Sequence, residues 1–282
     1  MSKVAIVTDT TAYLPEELVD QYQLSVTPQV LIWGNEEYKD GIDIKSDQFY
    51  ARLETDDVMP STSQVTPQSF IEAFKPFVEK GQPILAMLIS NDLSGTIASA
   101  IQAKKEFPDA QIEIFDSYTT AMALGFQVLM VARAAEKGAS MEDCLQIAGQ
   151  AREKTGVVFA VDTLEFLHRG GRIGGGSRFL GTALKLKPIL EVTGGKVEAV
   201  ERVRTRKKSL ERLVDLVEER VAGRNPVRLA TLHANAADDA RECLKMANAR
   251  LKAEETIFTS VSPVIGTHAG PGTVGLAYLA GM

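Results

Sequence analysis

Cysteine is nearly absent from this chain of 282 residues. Cys144 and Cys243 are far apart, lie in helix-like segments and form no C-x-x-C pair, so neither a disulfide framework nor a thiolate metal site is expected. Histidine is scarce too: there are three, at 168, 233 and 268. No apolar run approaches the roughly 18 residues of a membrane-spanning helix. The N-terminus passes from Lys3 into a strand-like stretch without the apolar core of a signal peptide, so a cytoplasmic location is expected. Positive charge is not in excess, and a net charge of −6 argues against a general binder of nucleic acid or anionic membrane. Neither G-x-x-x-x-G-K-[ST] nor G-x-S-x-G occurs, which removes a P-loop and a nucleophile elbow.

What is present suits an α/β protein of one large or two smaller domains, with 45% hydrophobic residues to fill a core. Residues 3–7 read as a strand, followed by Thr8-Asp9-Thr10-Thr11 and a helix with Pro15, Glu16 and Glu17 in its first turn. The turn has some likeness to an aspartyl phosphatase nucleophile. Position 11 is Thr, however, where that chemistry needs a second carboxylate, so Asp9 or a threonine is read as a cap. Residues 24–32 read as one strand broken by Pro28, and 36–41 as a turn. A short helix is expected over 46–54. Residues 60–67 are rich in hydroxyls and precede a helix from about 68 to 80, with Thr66-Pro67 as N-cap and first helical residue.

The continuously apolar run 83–89 predicts a strand buried on both faces, ending in Ser90-Asn91-Asp92-Leu93-Ser94-Gly95-Thr96 before a helix over 97–106. A further strand (111–115), turn (116–120) and helix (122–136) repeat the pattern. Three such units predict a doubly wound parallel sheet, where ligands bind at the carboxyl ends of strands. Beyond residue 157 come a short strand (157–161), a Gly-rich segment around Arg172, and a hairpin turn at Gly194-Gly195. The next strand, 196–206, would put Arg202, Arg204 and Arg206 on one face. A helix (210–221), strand (227–232), helix (238–251) and strand (257–261) then lead into a loop over residues 262–272. Five of its eleven residues are Gly or Pro, a composition suited to holding His268 at a chosen spot, with Gly270 and Gly272 allowing close approach. Gly270-Pro271-Gly272-Thr273-Val274-Gly275 matches G-x-G-x-x-G, but the seven residues that remain leave no room for a dinucleotide fold.

These motifs, taken together, resemble the DegV family of bacterial fatty-acid-binding proteins, which serve as the acyl-carrying subunit of a two-part fatty acid kinase. The likeness covers essentially the whole chain. It is carried by Thr8-Asp9-Thr10-Thr11-Ala12, Ser61-Thr62-Ser63-Gln64, Leu93-Ser94-Gly95-Thr96, residues 162–173, Lys187-Pro188-Ile189-Leu190 and residues 262–272. The resemblance implies two α/β domains, spanning 1–157 and 158–282. The first holds a doubly wound parallel sheet and the second, smaller one a mixed sheet, with a long-chain fatty acid buried between them. It also implies that Thr62, Ser94 and His268 hold the carboxylate, with Ser63, Gly95, Thr96, Thr267 and Gly270 in the supporting loops. No metal and no cofactor is implied; the ligand is the fatty acid and the partner a separate ATP-dependent kinase of phospholipid metabolism. Val65 and Ile97 stand where the family usually has Pro and an aromatic.

The physical chemistry suits that role. Burying about 14 to 16 methylenes at roughly 0.8 kcal/mol each is worth a gross 11 to 13 kcal/mol, so the head group needs only orientation. Arg172, Arg202 and Arg204 are candidates for docking an acidic partner, against the alternative of a solvated edge strand. A reading from another class makes Ser94 a nucleophile and His268 its base in a lipid hydrolase or acyltransferase, although no third group is assignable to orient the histidine.

Overall fold

A computed structural model describes residues 3–179 and 186–282. Its first unit is built from strands β1 (Ala5–Asp9), β2 (Ser25–Thr27), β3 (Val30–Trp33), β4 (Glu36–Lys39), β5 (Ser61–Ser63), β6 (Ile84–Leu88) and β7 (Ile112–Asp116). The helices among them are α1 (Glu16–Tyr22), α2 (Ser46–Leu53), α3 (Pro67–Val78), α4 (Thr96–Lys104), α5 (Ala121–Glu136) and α6 (Met141–Lys154). Four of these strands form a parallel sheet in the order β2-β1-β6-β7. Every residue of β1 and β6 is buried, as their continuous apolar runs require of strands covered on both faces. The turns after β1, β6 and β7 all open at the carboxyl end of this sheet. Thr66 caps α3 by accepting from Ser69 N at 3.1 Å, with Pro67 in the first helical position.

The expected strand over 24–32 is two strands in two sheets. Pro28 lies between them, where its missing N–H interrupts the ladder, and the chain leaves β2 in the parallel sheet for β3 in a small antiparallel sheet ordered β4-β3-β5. The expected turn over 36–41 is mostly β4, paired with β3. The hydroxyl-rich run 61–63 is β5, with Thr62 opposite Leu31.

The second unit holds β8 (Thr155–Ala160), α7 (Glu165–Arg169), β9 (Lys187–Thr193), β10 (Lys196–Val203), α8 (Arg206–Val221), β11 (Val227–His233), α9 (Ala237–Leu251), β12 (Glu255–Ser260), α10 (Pro263–Ala269) and β13 (Val274–Ala280). They give a mixed six-stranded sheet in the order β10-β9-β8-β13-β11-β12. The apolar C-terminal strand β13, fully buried, runs antiparallel to β8 on one side and β11 on the other. Alternation along the strands sorts the faces: Val158, Ala160 and Leu229 pack under α8 and α9, while Val157, Phe159 and Leu232 turn the other way, toward α5. Helix α5 is apolar nearly all round and correspondingly buried, which suits its place between the two units.

Strand β10 ends at Val203, earlier than expected. Thr205 caps α8 by accepting from Lys208 N, so Arg202, Arg204 and Arg206 do not share one strand face. Arg202 is exposed and lies over the Phe179 ring, Arg204 is exposed in the bend, and Arg206 pairs with Asp239 at 2.7 Å. The segment 262–272 also departs from expectation, because seven of its residues form α10. Pro263 sits at the first helical position, where its fixed φ favours the helix and no N–H is needed. Gly266 is there for packing: a Cβ on it would lie 2.5 Å from the Tyr50 hydroxyl oxygen.

Candidate functional site

A cavity lies between the carboxyl end of the parallel sheet and the inner face of the mixed sheet. Counting the part open to solvent, it encloses about 870 Å3. One wall is apolar, with Val157, Phe159, Val192, Val197 and Leu232 from the mixed sheet and Leu167 from α7. The polar lining comes mainly from the loops after β1 and β6, from β5, and from α10.

His268 and Thr62 meet there. Strand β5 presents Thr62 and the last turn of α10 presents His268, and their Oγ1 and Nε2 atoms are hydrogen-bonded at 2.8 Å across 206 residues of chain. Among the described residues His268 Nδ1 is buried without a partner, so the neutral ring gains most by carrying its proton on Nε2 and donating to Thr62. Burial, with the nearby Arg172 guanidinium second, pushes the imidazole down to about 4. His268 is therefore neutral at pH 7. Its position requires Gly170, since a Cβ there would lie 2.1 Å from Nδ1.

Ser94 lines the same cavity from the turn before α4. Its hydroxyl pairs with Thr96 Oγ1 at 2.8 Å, and Thr96, fully buried, accepts from Gln29 Nε2 at 3.0 Å. Ser94 and His268 thus have different partners, and among the described residues no hydrogen bond joins them. Arg172 ties the two sides together, Nε donating to Leu93 O at 3.1 Å and Nη1 to Gly170 O at 2.8 Å. It lines the cavity rather than standing on an outer face with Arg202 and Arg204.

The supporting residues divide. Ser63 lines the cavity beside Thr62. Gly95 lies against the Gln64 side chain, 2.9 Å from where a Cβ would be. Gly270, with φ 78, brings the backbone against Phe166 at the end of α10. Thr267 faces inward, donating to Pro263 O within the helix, and has no place in the cavity lining. Sequence reasoning did not place Gln29, Thr11 or Thr120 at the site, and all three line the cavity. Gln29 carried the clearest signal, an amide inside a run of strand-forming residues just after Pro28. Among the described residues no cluster of side chains could hold a metal ion, and no helix is long and apolar enough to cross a membrane.

The family model described as "Uncharacterised protein, DegV family" matches residues 3–281. The chain belongs to the DegV family. A DegV domain-containing protein of Clostridium perfringens is 35% identical over 98% of both chains. Among solved structures, a DegV family protein from Thermus thermophilus, described by its fatty acid binding, superposes with a TM-score of 0.93 at 32% identity, covering 99% of each chain. DegV of Bacillus subtilis, described as a fatty acid binding protein, superposes with a TM-score of 0.90 at 30% identity, covering 99% of this chain and all of the other. As a DegV family member, the chain has the fold of fatty-acid-binding relatives, with a parallel sheet in its N-terminal region and a mixed sheet in its C-terminal region.

Proposed function

We propose that this chain carries one long-chain fatty acid in the cavity between its two α/β units, with its carboxylate at Thr62, Ser94 and His268. The observation that carries the reading is the joining of two surfaces in one cavity. The Thr62–His268 pair, beside Ser94 and Arg172, adjoins an apolar wall from the mixed sheet. Such a wall supplies affinity through the acyl chain, and the polar cluster orients the head group.

A neutral His268 donating from Nε2 to Thr62 Oγ1 leaves the threonine hydrogen free to point at a carboxylate oxygen. The Ser94 hydroxyl offers a second donor, and the Arg172 guanidinium, held by two carbonyls, attracts the negative charge. A carboxylate held by hydroxyls keeps a lone pair available. In this reading a separate ATP-dependent kinase brings the nucleotide, a carboxylate oxygen attacks the γ-phosphorus, ADP leaves, and the acyl phosphate stays sequestered. The chain itself is a cytoplasmic carrier serving phospholipid metabolism, not an enzyme. The hydrolase reading would need Ser94 on His268, and Ser94 is instead on Thr96.

The test is calorimetric titration of palmitate and of hexadecanol into the wild type, Thr62→Val, Ser94→Ala and His268→Gln. The acid should bind the wild type more tightly than the alcohol. Thr62→Val and Ser94→Ala should each lose about 10- to 150-fold for the acid alone, the worth of a hydrogen bond to a charged group, and His268→Gln should weaken binding of the acid by loosening Thr62. Equal binding of acid and alcohol by the wild type would contradict the head-group assignment. Kinase presentation is tested by ATP-dependent formation of acyl phosphate from the loaded protein, which should appear only with the kinase added. Turnover of an acyl thioester by the chain alone, abolished in Ser94→Ala, would favour the hydrolase instead.

A further inference from the structure

Two carboxylates beside this site, Asp9 and Asp40, are fully buried, and among the described residues neither pairs with a cation. Burial raises both above the ordinary carboxylate range. Isolation of that kind is costly, so each should repay it through hydrogen bonds. Asp9 serves its own neighbourhood, accepting from Thr11 N, Thr11 Oγ1 and Ile89 N. Asp40 reaches across the molecule.

Its Oδ1 accepts from Val264 N at 3.1 Å, in the first turn of α10 and four residues before His268. Among the described residues the helix's own N-cap residue, Ser262, makes no capping bond from its side chain, so Asp40 caps α10 from another part of the fold. The other oxygen, Oδ2, accepts from Thr10 Oγ1 at 2.9 Å, and that hydroxyl accepts from Gln29 N at 3.1 Å. The Gln29 amide donates to Thr96 Oγ1, the partner of Ser94. One carboxylate thus stands at the junction of two arms, one ending in His268 and the other in Ser94.

We propose that Asp40 is a positioning residue for the head-group site: its two oxygens set α10, and with it His268, in register with Thr62 and with the Ser94 turn. This rests on the assignment of Thr62, Ser94 and His268 to the carboxylate. A carboxylate accepts on both oxygens, whereas an amide accepts on one only.

The experiment compares Asp40→Ala, Asp40→Asn and, as a control, Ser140→Ala. Ser140 caps α6 by accepting from Asp143 N and lies outside the cavity lining. Three quantities are read: palmitate affinity, the His268 ring-nitrogen NMR resonances of the ligand-free protein, and the melting temperature. Asp40→Ala should lose about tenfold or more in affinity and displace the His268 resonances, while Asp40→Asn, which keeps one acceptor, recovers much of both. Ser140→Ala should lower the melting temperature and leave the other two readouts alone. Wild-type affinity and unshifted His268 resonances in Asp40→Ala would overturn the proposal, as would an equal loss of affinity in Ser140→Ala. Should Asp40→Ala not fold, Thr10→Val removes one link at constant shape; shifted resonances there support the role and unshifted ones overturn it. If the wild type takes up no palmitate, the carrier reading fails on its own, and the ligand-free resonances of Asp40→Ala still decide the positioning role.

Discussion

Replacing Gly170 by Ala should damage ligand binding while leaving the fold intact. The glycine follows α7 with φ −75 and ψ −5, a conformation open to any residue, so the backbone does not oppose alanine. The new methyl does. It would stand 2.1 Å from His268 Nδ1 and 2.8 Å from Cε1, where ordinary contact begins near 3.4 Å. The ring must therefore shift by at least 1.3 Å, the difference between 3.4 and 2.1 Å. A displacement of that size does not preserve a 2.8 Å bond to Thr62 unless β5 moves with it. Losing the orienting group should cost about 1.5 to 3 kcal/mol of fatty-acid binding, roughly 10- to 150-fold in Kd. The neighbouring Gly171 provides the contrast: it has φ 69 and nothing among the described residues within 4 Å of an added Cβ, so Ala there costs about 1 to 2 kcal/mol of backbone strain without touching the histidine. Calorimetric titration with palmitate and thermal melts of both variants should separate the effects. Gly170→Ala should lose affinity and keep most of its stability, whereas Gly171→Ala should do the reverse. Wild-type affinity in Gly170→Ala, with unmoved His268 resonances, would refute the reasoning.

His268 should titrate near 4 in the ligand-free protein, followed by ring NMR, and move upward when a carboxylate is bound beside it; a midpoint near 6.5 would contradict its burial. Because its folded value lies below the ordinary 6.5, the folded state binds fewer protons than the unfolded chain between those limits. Its contribution is then intact above pH 6.5 and declines by roughly 3 kcal/mol as pH falls toward 4. Asp9 and Asp40, both raised, act in the opposite sense, so the measurement is the difference in urea stability between wild type and His268→Gln across that window. Arg172→Met should raise the His268 midpoint by removing a nearby cation and should weaken palmitate binding by loosening the Leu93 and Gly170 contacts; an unmoved midpoint in the same titration would count against that influence. Reversing Arg202 and Arg204 to Glu should reduce acyl-phosphate formation with the kinase without lowering fatty-acid occupancy, since both are exposed and neither lines the cavity; unchanged coupling would remove them from the docking surface.

Three strands of the parallel sheet, β1, β6 and β7, were legible because each is a short, largely apolar run followed closely by a polar turn and a helix. Thr66-Pro67 likewise announced the start of α3. Local chemistry served less well where a residue does two things. Pro263 and Gly266 read as loop residues, yet the first begins α10 and the second makes room for Tyr50. Thr205 read as one position in an alternating strand, but its hydroxyl is better used in capping α8, which separates the three arginines. The cavity wall was hidden for another reason. Val157 and Phe159 alternate visibly, but the face they belong to depends on β13, which arrives from the far end of the chain to pair between β8 and β11. Likewise no spacing rule connects Asp40 to Val264 or Thr62 to His268, which are contacts of the folded chain alone.

The carrier reading is tested most directly by native mass spectrometry of the purified protein, with organic extraction and identification of what it holds. The account predicts one long-chain fatty acid per chain in the wild type and little or none in a Thr62→Ala/His268→Ala variant that still folds. A wild-type protein that is empty and stays empty when fatty acids are added would contradict it.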